Sequence, residues 1–452
     1  MNSDSGFEQF DQFNSWDQAE QKAIKAYELY EEGQMSEALS AMNEALDMNP
    51  SNDRWHFNKA LTLDAMEKFD QAIEEYKQTL EMNPEDVEIL NCLAVDYTRT
   101  GQYDLALEIF EQIEKIDPQF EPGYCNRIIT YTEMGNYEMA EHMFYLAQQI
   151  NDACPLCFYN IGNSFFIQEN FKKAAWCWEK TETLEPNHPQ INYHIAQCYW
   201  NLGENETAWR YFIQELRKNP GDKDVVFDFG LFLLHCGDTV SASEKFRRIL
   251  EIEPDCAPAV FYLGEIALNA GSKKEAEALY LETVKLDRNV VGPRFRLAQL
   301  AMERGEKDAA FSLLAAELEF DIHQQDVLQA IGVVMMELGQ TDYATHCFLR
   351  VSELGPASAL NYFYLGKTLA SRGEIEDAEQ FLDYAIEQDA ANYELFKSVL
   401  LVYLNAGMPE KVLDLLATLK AGENTLGLSI IKTLAKLKIY SKRFGWLKIF
   451  GK

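Results

Sequence analysis

Small, aromatic and turn-forming residues recur along this chain with a period of 34. Alanine stands at Ala38, Ala72, Ala106, Ala140, Ala174, Ala208, Ala242, Ala276, Ala310, Ala344 and Ala378, eleven times in unbroken register. A frame opened at Ala19 gives twelve units over 19–426, with this alanine at unit position 20. Position 8 is small in ten units, among them Ala60, Ala94, Gly162, Ala196, Gly264, Gly332 and Gly366. Position 24 is large and apolar in all twelve, as in Tyr76, Phe110, Trp178, Phe212, Tyr280 and Phe348. Position 15 is glycine in ten units and position 32 proline in seven.

These positions predict two helices per unit. Small residues at 8 and 20 let two helices approach closely, and the large side chain at 24 fills the space beside the contact. Glycine at 15 suits a helix C-terminus, where positive φ is needed. Proline at 32 stops a second helix. Helix A therefore covers positions 1–14 and helix B about 18–30. The other prolines agree. Pro122, Pro155, Pro189, Pro258 and Pro293 fall in the first turn of helix A, where proline is tolerated, and Pro409 precedes helix B.

This pattern resembles the tetratricopeptide repeat, whose unit is also a 34-residue helix pair. The resemblance covers 408 of the 452 residues. It implies an all-α, right-handed superhelical solenoid of about twelve antiparallel helix pairs, with helix A lining a concave groove. Departures are local: Ile128 and Leu400 replace the small residue at 8, Glu67 and Glu169 the glycine at 15, and Val412 the alanine at 20. The expected divisions are an acidic, aromatic N-terminal segment (1–18), the array (19–426) and a basic amphipathic C-terminal helix (427–452).

The resemblance also implies where ligands bind, at helix A positions 2, 5, 6, 9, 12 and 13. Position 5 carries Tyr159, Tyr193, Phe227, Phe261 and Phe295 in consecutive units, with Phe166 and Trp200 at position 12 and Asn160, Asn163 and Gln197 between them. One reading is an aromatic floor for peptide side chains with amides for the peptide backbone. The other is packing alone, since Tyr-Asn at positions 5 and 6 is also the family average. A carboxylate clamp is not supported, because the inner basic residues Arg54, Arg99, Arg296, Lys367 and Lys397 are far apart.

Charge narrows the partner. Forty basic and 73 acidic residues give a net charge of −33. Such a surface repels nucleic acid and attracts neutral or basic protein and peptide ligands. The segment 427–452 reverses the trend: Lys432, Lys436, Lys438, Lys442, Arg443, Lys448 and Lys452 stand there without an acid, beside Trp446 and Phe450. It reads either as a cap on the last unit or as a membrane-surface helix. Phe7, Phe10, Phe13 and Trp16 give the first 18 residues the spacing of a short helix, for capping or docking.

No P-loop, nucleotide-binding glycine cluster or nucleophile elbow is present, and no cofactor is expected. The seven histidines show no metal-ligand spacing. Nine cysteines without a disulfide-framework spacing, and no secretory signal at the N-terminus, suggest the cytoplasm, with membrane association left to the basic tail. Cys154-Pro155-Leu156-Cys157 is the sharpest local motif. Its cysteines flank the start of a helix A, where the helix dipole favours a thiolate. A redox role is the alternative to an adaptor role. Zinc would need two further ligands, so no metal site is predicted.

Overall fold

The computed structural model describes residues 5–418 and 426–444, with side chains for 18–418 and 427–440. Among the described residues there are 25 α-helices and no strand. The chain divides into two compact units, Met1–Phe232 and Leu233–Lys452.

The first unit holds α1 (Ser5–Glu31), α2 (Met35–Met48), α3 (Asp53–Ala65), α4 (Phe69–Met82), α5 (Val87–Arg99) and α6 (Tyr103–Ile116). These are followed by α7 (Glu121–Glu133), α8 (Tyr137–Ile150), α9 (Pro155–Ile167), α10 (Phe171–Leu184), α11 (Ile191–Asn201) and α12 (Asn205–Lys218). The division falls inside α13 (Lys223–His235). The second unit continues with α14 (Thr239–Ile252), α15 (Ala257–Asn269), α16 (Lys273–Leu286), α17 (Pro293–Glu303), α18 (Lys307–Glu317) and α19 (Gln325–Glu337). It ends with α20 (Thr341–Glu353), α21 (Ala359–Arg372), α22 (Ile375–Gln388), α23 (Tyr393–Asn405), α24 (Pro409–Ala417) and α25 (Leu426–Phe444).

The repeat residues do what their sizes require. All eleven alanines at position 20 are at most 2 % exposed. A methyl group on Gly264 would stand 2.7 Å from the Tyr280 ring, and one on Gly332 the same distance from Phe348. Helix A and helix B therefore touch along their small residues, with the ring at position 24 closing the contact from the side. Ile128 and Leu400, at the small position, are fully buried.

Helix ends follow the turn chemistry. Gly101 has φ +74°, and its counterparts Glu67 and Glu169 are forced into the same left-handed region at +59° and +57°. Two helix starts depart from the predicted register. Pro189 precedes α11 rather than opening it, because Gln190 takes φ +53°. Likewise α17 opens at Pro293 after Gly292, which has φ +114°.

At the ends, α1 runs through residue 18 without a break. In α25, Leu428, Ile431 and Ala435 are buried with Leu400, Tyr403 and Val412 of α23 and α24. A second row at helical spacing, Ile430, Leu434 and Leu437, is exposed, at 52 %, 44 % and 52 %.

Candidate peptide groove and cysteine cluster

Three helix-A elements of the second unit line an open cleft of about 440 Å³. Its walls are Phe261, Tyr262 and Glu265 of α15, Phe295, Arg296 and Gln299 of α17, and Asp326, Val327 and Ala330 of α19. In repeat terms these are mostly positions 5, 6 and 9, plus 2 and 3. Phe295 is 5 % exposed and belongs to the cleft floor, while Phe261 is half-buried. Arg296 spans two rungs and donates to both oxygens of Glu265, at 2.8 and 2.6 Å. Glu265 also accepts from the Tyr280 hydroxyl at 2.6 Å. Burial and this carboxylate raise the Tyr280 hydroxyl well above the usual phenol range.

Gly292, in the cleft lining, is fixed by a buried acid–base pair. Gly292 donates its backbone N–H to Glu317, whose side chain is fully buried and pairs with Arg294 at 3.5 Å. Burial raises the Glu317 carboxyl, and the Gly292 N–H and Arg294 oppose that rise. Arg294 also donates to the Arg288 carbonyl at 2.8 Å and stacks over Phe320. Phe261 packs into the space that a side chain at Gly292 would fill, its ring 3.0 Å from such a Cβ.

In the first unit the predicted residues form a more self-satisfied face. Tyr159 lies against His188, with centroids 4.3 Å apart and the rings tilted by 37°, and its hydroxyl lies 3.3 Å from His194 Nε2. Burial raises that hydroxyl, and a hydrogen bond to Asn163 offsets part of the rise. Burial, then the nearby His188, lowers His194 below the usual imidazole value. Tyr193 donates to Asp228 at 2.6 Å, and Gln197 donates to both, at 2.7 and 3.2 Å. Phe166 packs on Phe171 and Trp178, and Trp200 packs edge-on against Phe212 and Phe232. Phe227 is half-buried. Asn160 does not belong to a contact face: it is 3 % exposed, and its amide donates to the Cys125 carbonyl at 2.9 Å. Of the tail residues, Lys432 is half-buried and Lys436 exposed. Lys442, Arg443 and Trp446, like Phe7, Phe10, Phe13 and Trp16, lie outside the described side chains.

The CxxC motif is part of a larger cluster. Cys157 is joined by a disulfide to Cys125, a pairing across consecutive repeats that cysteine spacing did not suggest. Cys154 caps α9, accepting the Cys157 N–H at 3.4 Å, and lies 3.8 Å from Cys125 Sγ. Burial, then Glu121, pushes the Cys154 thiol up to about 11, so the expected low-pKa thiol is not found. Cys125 and Glu121, at positions 5 and 1 of the unit that ends at Cys154, bring a sulfur and a carboxylate oxygen to the CxxC, all four atoms within 4.8 Å of one another.

Three family models cover most of the array. Residues 20–161 match the Psidin N-terminal TPR repeats region, 193–302 the middle TPR-like domain of cilia and flagella-associated protein 70, and 330–393 a tetratricopeptide repeat. This chain belongs to the tetratricopeptide-repeat family. A curated relative is the tetratricopeptide repeat-containing protein trd-1 of Caenorhabditis elegans, 23 % identical over 92 residues. That match spans 20 % of this tetratricopeptide-repeat chain and 12 % of the relative's length. Among solved structures, yeast Tom70 aligns over 87 % of this chain and 96 % of its own, at 13 % identity and a TM-score of 0.47. YrrB, described as a TPR protein with an unusual peptide-binding site, aligns over 40 % of this chain and 93 % of its own, at 18 % identity and a TM-score of 0.35.

The sequence missed Tyr262, Gln299 and the Glu317–Arg294 brace. Tyr262 and Gln299 sit at positions 6 and 9, which the repeat frame marks. No sequence signal marks Glu317, a helix-B residue that does not line the cleft.

Proposed function

We propose that this chain is a non-catalytic scaffold that holds a peptide or a segment of a partner protein against helix A. The observation that carries this reading is the cleft over α15, α17 and α19. Its volume falls in the range of small ligand sites, and it pairs apolar walls with a few fixed polar groups. Phe261, Tyr262 and Val327 supply apolar surface, while Gln299 and the Arg296–Glu265 pair supply oriented hydrogen-bonding groups. The net charge of −33 and Asp326 at the rim favour a neutral or basic peptide. The first-unit face carries the same kinds of side chain by itself, in Tyr159, Asn163, Phe166, Tyr193, Gln197, Trp200 and Phe227.

The test is selection from a random peptide display library on the full chain. Selected peptides should compete with one another, and a Phe261→Ala/Gln299→Ala variant of unchanged helicity should bind them at least about tenfold more weakly. Equal binding by the variant refutes the cleft.

A second reading rests on α25. Its exposed row of Ile430, Leu434, Leu437 and Tyr440, beside Lys432 and Lys436, has the make-up of a membrane-surface helix. Co-sedimentation with anionic vesicles should then fall on Ile430→Ser/Leu434→Ser/Leu437→Ser. Unchanged pelleting removes the membrane role.

A further inference from the structure

The geometry points to a zinc site between α7 and α9, formed in the reduced chain by the thiolates of Cys125, Cys154 and Cys157 and the carboxylate of Glu121. The four ligand atoms lie within 4.8 Å of one another, and the three cysteines are buried. Cys125 Sγ and Cys154 Sγ stand 3.8 Å apart. Two sulfurs on a tetrahedral zinc, each bound at about 2.3 Å, are about 3.8 Å apart. One oxygen of Glu121 reaches two of the sulfurs, at 2.7 Å from Cys125 and 3.1 Å from Cys157.

The local fold suits anionic ligands. Glu121 is the first residue of α7, and Cys125 stands one turn later on the same face. Cys154 and Cys157 bracket the first turn of α9, with Pro155 fixing the start of the helix. Both helices therefore direct the positive ends of their dipoles at the cluster. Three sulfurs and one carboxylate select a soft divalent ion over Mg²⁺ or Ca²⁺, and four protein ligands make a closed, structural site. Bound metal would tie together the first turns of helix A in consecutive units.

The disulfide makes the site responsive to redox state. With Cys125 and Cys157 bonded to each other, two of the four ligands are lost. A phosphine reductant breaks the S–S bond. The phosphine is oxidised to its oxide by two electrons, with water supplying the oxygen and the two thiol protons. Zinc then displaces the protons of all three thiols. This inference does not depend on the peptide cleft, which lies in the other compact unit.

The experiment is titration of the phosphine-reduced full chain with Co²⁺, followed by displacement with Zn²⁺. One equivalent of Co²⁺ should give thiolate-to-metal charge transfer and the strong visible bands of a tetrahedral site. Zinc affinity should fall at least about 100-fold in Cys154→Ser and about 10–100-fold in Glu121→Gln, and stay unchanged in Cys177→Ser, a buried thiol outside the cluster. The unreduced chain should take up no metal. A folded, reduced wild-type chain without the charge-transfer band overturns the site, whatever the variants do. So does an undiminished band in Glu121→Gln together with Cys154→Ser. Uptake by the disulfide-bonded chain overturns the redox coupling.

Discussion

Replacing Gly162 with alanine adds one methyl group to α9 at the point where α10 presses closest. That carbon would lie 2.5 Å from Trp178 Nε1, 2.7 Å from Cδ1 and 3.1 Å from Cε2. The indole has little room to retreat. It is 2 % exposed, its N–H donates to the Tyr159 carbonyl at 3.2 Å, and the His194 and Phe166 rings flank it at 5.0 and 5.4 Å. Overpacking a core by one methyl group costs about 1–3 kcal/mol. Displacing the indole also weakens a hydrogen bond worth about 1 kcal/mol. Against this, alanine in a helix interior gains about 0.5–1 kcal/mol over glycine. The net expectation is a loss of about 1–3 kcal/mol. Urea unfolding followed by tryptophan fluorescence, with hydrogen exchange to localise the loss to α9–α11, measures it. A variant more stable than wild type would show that helix propensity outweighs the contact, and would refute close approach as the reason for small residues at position 8.

Two further outcomes follow from the geometry. Asp96 has a side chain 1 % exposed, 3.3 Å from Arg99, and burial followed by the neighbouring Asp64 pushes its carboxyl up to about 7. Because the folded value lies above the unfolded one, its favourable contribution is full below about pH 4 and lost as pH rises to about 7. Asp96→Asn should flatten that slope and stabilise the chain at pH 8 by on the order of 1–3 kcal/mol, as read by urea unfolding at pH 5 and 8. An unchanged slope counts against it. Glu169→Gly should raise stability by about 0.5–1 kcal/mol, since relief of the left-handed conformation outweighs the added freedom of the unfolded chain. A lower melting temperature is the contrary result.

How much of this was legible in the sequence depends on whether the signal repeats. Ala38 to Ala378 and the rings at position 24 set each helix pair, because every unit solves the same packing problem with the same residues. The positive φ at Glu67 and Glu169 was readable for the same reason: ten glycines define what that position requires. What does not repeat was missed. Glu317 acts on a glycine 25 residues away, and Glu121 and Cys125 meet Cys154 from the far end of their own unit and Cys157 across a repeat boundary. In the tail, periodicity alone does not choose the buried face. Ile430, Leu434 and Leu437 have good helical spacing, yet the neighbouring row of Leu428, Ile431 and Ala435 is the one buried.

The brace behind the cleft changes what transplanting this groove would take. Phe261 fits because Gly292 has no side chain, and Gly292 holds its turn through Glu317, itself tied to Arg294. None of Glu317, Arg294 and Arg288 lines the cleft. Grafting the lining residues onto a regular consensus repeat would therefore carry over the chemistry of the surface without its shape. A faithful graft has to carry the late start of α17 and its buried acid–base pair as one block.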